Sequence, residues 1–391
     1  MPSSTSSSNQ PDTDPLSTEL ASAERLTASD RPGVAQPVPE RPVPAQPWRA
    51  VLWFVAIAVM VLVIAWEWNA RRLGLQPGDV DDSASAWAEQ RRRVDANTAA
   101  VAIVGDSRIL FDTDLEHFEK LTGTRPVQLA LPGTNARPFL ENLANDASFK
   151  GLAIVGIAEL SYFRDGIGLM ADALDRYAFE SPSQRSSFQL HGTLSQFFGF
   201  LDAAYRLSTL VHRIDPGWRA GTRGPYNDVW KISVRGTGRQ TWLWSRIETD
   251  KYLRDHARGV WMGGGMSGPP VADDVIARTL SATRAAVRKI RARGGDVVFI
   301  RPPSSDELRM LEEKRLPRAK GWDALIAAVE VEGIHFDDEP SLQGLSIPEM
   351  SHLSRAFAKV FTDAYVRILA ARMPRIAIRP DAPAPLTATD C

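Results

Sequence analysis

The stretch VAIVGDSRILFD, residues 101–112, places an acid, a hydroxyl and a cation directly after a run of small and branched apolar residues. Residues 101–104 are predicted to form a buried β-strand, because a short continuous apolar run that ends at a glycine is typical of a strand covered on both faces. The GDSR turn, residues 105–108, then lies at the carboxyl end of this strand. Gly, Asp and Ser also occur in ordinary strand-to-helix turns, so the turn acquires a function only if other parts of the chain supply its partners.

Apolar runs and amphipathic segments alternate along the chain from about residue 99. We expect strands in VAIVG, VQLALPG, GLAIVGIA, DVVFIRPP and IHFDD. We expect helices in DTDLEHFEKLTG (with Asp112 as N-cap and Gly123 as its stop), ARPFLENLANDA, DDVIARTLSATRAAVRKIRARGG, GWDALIAAVEVEG and SHLSRAFAKVFTDAYVRILAARM. Such alternation implies parallel strands joined by right-handed crossovers. The sequence therefore predicts an α/β fold, a three-layer doubly wound parallel sheet, with ligands bound at the carboxyl ends of the strands.

The amino-terminal part of the chain combines a polar tail with an apolar segment. Residues 1–47 are rich in Ser, Pro, Asp and Glu without an apolar pattern, so we expect them to be disordered. Residues 50–66 carry no charge and span roughly 25 Å as a helix, which is enough with the flanking residues for one membrane crossing. We therefore predict a transmembrane anchor over 48–70, with Trp residues at both ends, and a juxtamembrane linker over 71–97. The flanking arginines are balanced, so they do not fix the orientation of the anchor.

One domain is predicted over 98–375, with a long insertion at about 162–270 and a Pro-rich tail over 376–391. The insertion exceeds an ordinary crossover. It holds five tryptophans, Trp218, Trp230, Trp242, Trp244 and Trp261, for which burial in an irregular lid is a commoner explanation than a platform for sugar rings. Its segment LSQFFGFLDAAYRLSTLVHRI is amphipathic and could lie on a membrane, on a partner helix or on the main sheet.

Composition excludes several classes of function. The 391 residues carry a net charge of −1, so the basic field that nucleic-acid binding needs is absent. The single cysteine, Cys391, excludes an internal disulfide framework, a cysteine metal cluster and a thiol nucleophile within the fold. Because histidines and cysteines with metal-ligand spacing are also absent from the sequence, we expect neither a metal nor another cofactor.

A serine hydroxyl becomes a nucleophile only when a neighbouring base removes its proton. Ser107 therefore needs one of the histidines as its base. Five of the six histidines, His117, His191, His212, His256 and His335, have no acid placed to orient them at the carboxyl edge of the sheet. His352 follows Glu349 by three residues in IPEMSHLS, between the last strand and the last helix. We therefore expect Ser107, Glu349 and His352 to meet at this edge.

These features resemble the SGNH/GDSL hydrolase superfamily over roughly residues 98–372. The shared elements are the Ser in GDS, a glycine after the second strand, and an acid-x-x-His near the carboxyl terminus. The resemblance implies that Ser107 is the nucleophile and that its backbone N–H serves the oxyanion hole. It also implies that Gly133 in LALPGTN donates a second N–H to that hole, and that Glu349 and His352 are the acid and the base.

Two blocks of the sequence depart from the family pattern. Glu349 stands where the family has Asp, and Gly156–Glu159 stands where the family has Gly-x-Asn-Asp, so the oxyanion-hole asparagine is missing. Loss of one such donor costs about 3–4 kcal/mol of transition-state stabilisation where it has been tested. Either a nearby polar group replaces it, or the protein is a slow or inactive relative. The accessory residues that we consider are Asp106, Arg108 and Asn135.

The arrangement of tail, anchor and domain resembles the membrane-anchored SGNH proteins of bacterial cell envelopes. That resemblance implies acyl transfer to polysaccharides or teichoic acids, often beside a multi-span MBOAT acyltransferase. It also implies a single-pass protein of the inner membrane with residues 1–47 in the cytoplasm and a periplasmic domain. We expect a serine O-acyltransferase or O-acyl esterase acting on a cell-envelope glycan. The alternatives are an inactive SGNH scaffold that recruits an integral membrane acyltransferase, and a lipid or carboxyl esterase with the opposite topology.

Overall fold

The computed structural model describes residues 47–79, 82–168, 171–207, 209, 231–263 and 268–391. The predicted disordered tail, apart from its last residue, lies outside the described residues, as do His212, Trp218 and Trp230. The chain divides into two units between Val61 and Leu62, and the site described below lies in the second unit.

A parallel β-sheet of five strands organises the domain. The strands of the described residues, in chain order, are β1 Val101–Val104, β2 Val127–Gln128, β3 Leu152–Gly156, β4 Ser233–Arg235, β5 Thr241–Leu243, β6 Asp296–Arg301 and β7 Gly333–His335. The five strands of the parallel sheet lie in the order β2-β1-β3-β6-β7. Strands β4 and β5 form a separate antiparallel hairpin within the insertion. The predicted α/β class with a parallel sheet is therefore confirmed.

Helices connect the strands and also occur in the insertion. Those of the described residues are α1 Trp48–Arg72, α2 Ala84–Ala96, α3 Ser107–Asp112, α4 Leu115–Thr122, α5 Arg137–Asn145, α6 Glu159–Tyr162, α7 Asp172–Phe179, α8 Pro182–Ser195, α9 Ser245–Thr249, α10 Lys251–Gly263, α11 Asp273–Ala292, α12 Asp306–Arg315, α13 Ala324–Val329 and α14 Arg355–Arg372. Helix α1 is long and apolar enough to cross a membrane. This agrees with the predicted anchor by length and composition.

Alternate residues of the strands face two apolar cores, one on each side of the sheet. Ala102 and Val104 of β1 contribute to a core that also contains side chains of α5 and α11. Ile103 faces the other core, which contains Ile109 of α3 and side chains of α4 and α14. Helices therefore cover both faces, and the carboxyl edge of the sheet is left to the loops that carry the polar residues.

The segment after β1 differs from the sequence prediction. Asp112 was expected to cap a helix, but it is the last residue of α3, a short helix that the sequence did not predict. Asp114 caps α4 instead, because its Oδ1 accepts the His117 N–H at 2.8 Å. Gly123 ends α4 as predicted, with a φ of 76° in the left-handed region where glycine carries no Cβ penalty.

Candidate active site

The turn between β1 and α3 places Ser107 at the carboxyl edge of the sheet. Asp106 begins α3 by accepting the Arg108 N–H on Oδ1 at 3.1 Å, so Ser107 is the first helical residue. Gly105 is required at this turn, because a Cβ there would lie 2.2 Å from the Ile109 side chain. Ser107 keeps partial exposure while Asp106 and Arg108 are buried. Asp106, a predicted accessory residue, thus orients the turn.

Glu349 and His352 form a buried acid–histidine pair in the loop before α14. Glu349 Oε1 lies 2.8 Å from His352 Nδ1 and accepts the His352 backbone N–H at 2.6 Å. Its other oxygen, Oε2, accepts the indole N–H of Trp261. The two oxygens of Glu349 thus accept three hydrogen bonds, as an ionised carboxylate can, because it has acceptors and no donor. The pairing fixes the ring so that Nε2 is the nitrogen left for other chemistry.

Aromatic rings hold the imidazole of His352 against helix α3. Phe111 stacks on His352 with ring centroids 4.2 Å apart and planes inclined by 26°. Trp261 meets the imidazole edge-on at 5.7 Å. Since Phe111 follows Ser107 by four residues, both lie on one face of α3. His352 therefore packs against the short helix that begins with Ser107.

The Nε2 atom of His352 is buried and has no hydrogen-bond partner among the described residues. Ser107 Oγ and His352 Nε2 are thus not hydrogen-bonded in this structure. In serine enzymes this bond is often long before substrate binds and shortens in the reacting complex. The imidazole is oriented, and its reactive nitrogen is uncommitted.

Gly133 lies in the loop that follows β2, next to the GDSR turn. The Leu131 N–H donates to the Gly105 carbonyl at 3.0 Å and so joins the two loops. Gly133 has a φ of 64°, a conformation that favours glycine, and its carbonyl accepts from Arg164 Nη2 at 2.7 Å. The carbonyl side of this residue is therefore occupied by Arg164, a neighbour that the sequence analysis did not single out.

Asn135 and Arg108 are the candidate donors to replace the oxyanion-hole asparagine that the family resemblance implies. Both contacts of Asn135 Nδ2 go to loop carbonyls, of Arg164 at 2.9 Å and Gly166 at 3.2 Å. Its Oδ1 accepts the Arg137 N–H, so Asn135 holds its own loop and the structure does not place its amide at the Ser107 site. Arg108 is 2% exposed, and its Nη1 has no partner among the described residues. Of the two, Arg108 alone retains an uncommitted donor.

A buried charge network surrounds the Arg108 guanidinium. Arg108 pairs with Glu312, which also accepts from Arg301 Nη2 at 2.8 Å. Arg301 in turn reaches Glu159 through Nε at 3.0 and 3.1 Å. Burial raises the pKa of Glu312, but Arg108 and Arg301 lower it to about 2. The network ties helix α3 to the end of β6 and also engages the carboxylate of Glu159.

Asp112 links helix α3 to the loop that carries His352. Its Oδ1 accepts the Leu353 N–H at 2.9 Å, while Oδ2 is buried with no partner among the described residues. Burial raises the pKa of Asp112 well above its ordinary value, and the nearby carboxylates of Glu349 and Asp106 raise it further, against Leu353 and Arg108, which lower it. The contribution of Asp112 is to hold the loop that carries His352.

Two other histidines also lie close to acids. His117 Nε2 lies 2.9 Å from Asp363 Oδ1, a buried pair between α4 and α14 that the sequence analysis missed. His335 is at the end of β7, where burial, together with Arg301 and Arg318, lowers its pKa to about 3. His335 is therefore uncharged near neutral pH.

Metal ligands are not grouped in the part of the chain that the structure describes. Among those residues, no three or more His, Cys, Asp or Glu side chains are placed to hold a metal ion.

The chain was also compared with known proteins. No protein-family model and no curated protein matches it.

Proposed function

We propose that this chain is a membrane-anchored, SGNH-like serine O-acyltransferase or O-acyl esterase that acts on a cell-envelope glycan. The observation that supports the proposal is the buried Glu349–His352 pair, whose imidazole stacks on Phe111 one helical turn after Ser107. An oriented imidazole beside an accessible serine at the carboxyl edge of a parallel sheet is the arrangement that nucleophilic acyl transfer needs.

In the proposed reaction, His352 Nε2 takes the proton of Ser107 Oγ as that oxygen bonds to the acyl carbonyl carbon. The negative charge that develops on the carbonyl oxygen is stabilised by the backbone N–H groups of Ser107 and Gly133. As the first residue of α3, Ser107 has an N–H without an intrahelical acceptor. Collapse of the intermediate breaks the ester C–O bond, and the departing alcohol receives the proton from His352.

The acyl-Ser107 intermediate is then resolved by the reverse sequence. Water or a sugar hydroxyl attacks the acyl carbon, His352 takes its proton, and Ser107 Oγ leaves and is reprotonated. Glu349 keeps the imidazole in the productive tautomer and stabilises its cation without taking the proton itself. Water as acceptor makes the protein an esterase, and a sugar hydroxyl makes it a transferase.

An inactive scaffold is the second candidate function. Ala158 supplies no side-chain donor at the position of the family asparagine, and Asn135 is committed to its own loop. Such a chain would recruit a multi-span MBOAT-type acyltransferase in the bacterial inner membrane rather than carry the acyl group on Ser107.

The two functions differ in whether Ser107 becomes covalently modified. Full-length protein in detergent should react with a fluorophosphonate probe and hydrolyse an aryl acetate with an initial burst. Ser107→Ala should abolish both, whereas Ser148→Ala, at an exposed serine, should change neither. Folded wild-type protein that fails to react with the probe and with the ester would favour the scaffold.

A further inference from the structure

The sequence of helix α1 changes from apolar to charged residues in its last turns. Leu62–Trp66 is apolar, and Glu67 is the first charged residue after it. Trp66 and Trp68 are 42% and 60% exposed. Exposed tryptophans beside the first charge are typical of the membrane–water interface. If α1 crosses a bilayer, Glu67 therefore marks the depth at which the chain leaves the hydrocarbon.

Glu67 is bound by a distant segment of the insertion. Its carboxylate accepts the backbone N–H groups of Gly199 and Phe200, each at 3.1 Å. A second bond lies close by, because the Gly78 N–H donates to the Ser195 carbonyl at 2.7 Å. The end of helix α8 and the residues that follow it are thus held at the depth of Glu67.

The same end of α8 presents an exposed apolar stripe. Leu190 and Leu194 share one face of α8, and Phe197 lies in the turn just after the helix, where its N–H donates to the Leu194 carbonyl at 3.1 Å. The three side chains are 61%, 45% and 65% exposed. Earlier positions of this face are Ser183 and Ser187. The face is therefore apolar only where the chain approaches Glu67. From Leu190 to Phe197 the stripe covers the last turn of α8 and the turn that follows it, about 10 Å at the rise of a helix, which is comparable to the depth of an interfacial zone.

We propose that Leu190, Leu194 and Phe197 insert into the lipid interface and form a second membrane contact beside helix α1. Lipid is the occupant that fits, because the stripe is continuous with the membrane boundary marked by Glu67 and loses its apolar character away from it. Two contacts, one helix and one stripe, fix the orientation of the domain on the bilayer, whereas a single anchor allows it to tilt. The proposal is independent of the chemistry at Ser107.

The test uses full-length protein in phosphatidylcholine nanodiscs. Cys391→Ser removes the only cysteine, and Leu194→Cys then carries a single environment-sensitive fluorophore. We expect emission at shorter wavelength than in water, and loss of most of the emission when the lipid chains are brominated. The matched control is Met310→Cys, at an exposed apolar residue of α12 with 66% exposure, which should show neither effect.

Two outcomes would overturn the proposal. If the label at Leu194→Cys shows the same emission and the same lack of quenching as the label at Met310→Cys, the stripe lies in water. A label that is shielded from an aqueous quencher but is not quenched by brominated lipid would mean that protein, such as a second copy of this chain, covers the stripe. Phe197→Cys should repeat the result of Leu194→Cys, and near-UV circular dichroism verifies that each labelled protein is folded.

Discussion

Trp261 donates its indole N–H to Glu349, the acid that orients His352. Trp261 belongs to helix α10 of the insertion, whereas Glu349 lies in the loop before the last helix. The insertion therefore completes the hydrogen bonding of the acid–histidine pair.

Trp261→Phe should lower the activity of the protein by about ten- to a hundredfold. The change keeps the aromatic contact with His352 but removes a hydrogen bond to a charged group, which contributes about 1.5–3 kcal/mol. The measurement is kcat/KM for an aryl acetate with full-length protein. Trp242→Phe is the control, because Trp242 also lies in the insertion and donates its N–H to a buried carboxylate, Asp114, at 3.3 Å. Equal losses in both variants would contradict a specific role for Trp261.

Ser107, Glu349 and His352 should act as one catalytic unit. Ser107→Ala and His352→Ala should each abolish the acyl-enzyme burst, and the double variant should be little worse than either, because the residues of such a unit are not additive. Glu349→Gln should be milder, since the acid only orients and stabilises the imidazole. His117→Ala removes an equally buried histidine with an acid partner and reports the structural cost alone. Losses that multiply in the double variant would argue against the triad.

Asp112→Asn should leave the protein as stable as wild type at pH 7, or more stable. The asparagine keeps an acceptor for the Leu353 N–H. Because the pKa of Asp112 is raised in the folded state, the folded protein retains a proton that the unfolded chain releases above about pH 4. The contribution of Asp112 to the free energy of unfolding of the wild type therefore falls as pH rises. Unfolding at pH 4 to 8 should show an advantage of the variant that grows with pH. An advantage that shrinks with pH would contradict a raised pKa of Asp112 in the folded protein.

Glu312→Gln should have the opposite pH dependence. At pH 7 the variant leaves Arg108 and Arg301 short of a buried countercharge, at a cost of about 3–5 kcal/mol in the free energy of unfolding. The lowered pKa of Glu312 means that its stabilisation is present above its ordinary pKa of 4.5 and is lost as pH falls towards about 2. The difference between variant and wild type should therefore shrink below pH 4.5. A difference that does not vary with pH would exclude the charge as its cause.

The orientation of helix α1 has a direct cellular test. We expect the domain to lie outside the cytoplasm, so alkaline phosphatase fused after residue 90 should be active in a bacterial host, since its disulfides form only in an oxidising compartment. Green fluorescent protein fused at the same point and exported unfolded should be dark. A fluorescent green fluorescent protein fusion together with an inactive alkaline phosphatase fusion would place the domain in the cytoplasm instead.

Strands β1 and β3, Val101–Val104 and Leu152–Gly156, could be predicted because each is a continuous apolar run bounded by turn residues. The Glu349–His352 pair could be predicted because a three-residue separation in one loop lets the two side chains meet. Helix α3 was missed, because its apolar residues look like a continuation of the strand and its cap, Asp106, was assigned to the turn.

The remaining partners of the site come from positions distant in sequence. Trp261 was named only as a lid residue, since nothing in an irregular insertion indicates which tryptophan reaches the acid. Arg301 lies 142 residues from Glu159, and only the packing of the strands brings them together. A local signal existed for Arg301 alone, because a charged residue at the end of the apolar run DVVFIRPP needs a buried partner.

The absence of side chains at Gly105 and Gly156 makes room for Ile109. A Cβ at Gly105 would lie 2.2 Å from the Ile109 side chain, and one at Gly156 would lie 2.3 Å from its Cβ. One position just after β1, one at the end of β3 and one on α3 thus share a single small volume. A mutational library should accept larger residues at either glycine only in combination with a smaller residue at position 109. Evolution would then have to reduce residue 109 before it could enlarge either glycine, because a larger residue at a glycine alone would push against helix α3, which begins at Ser107.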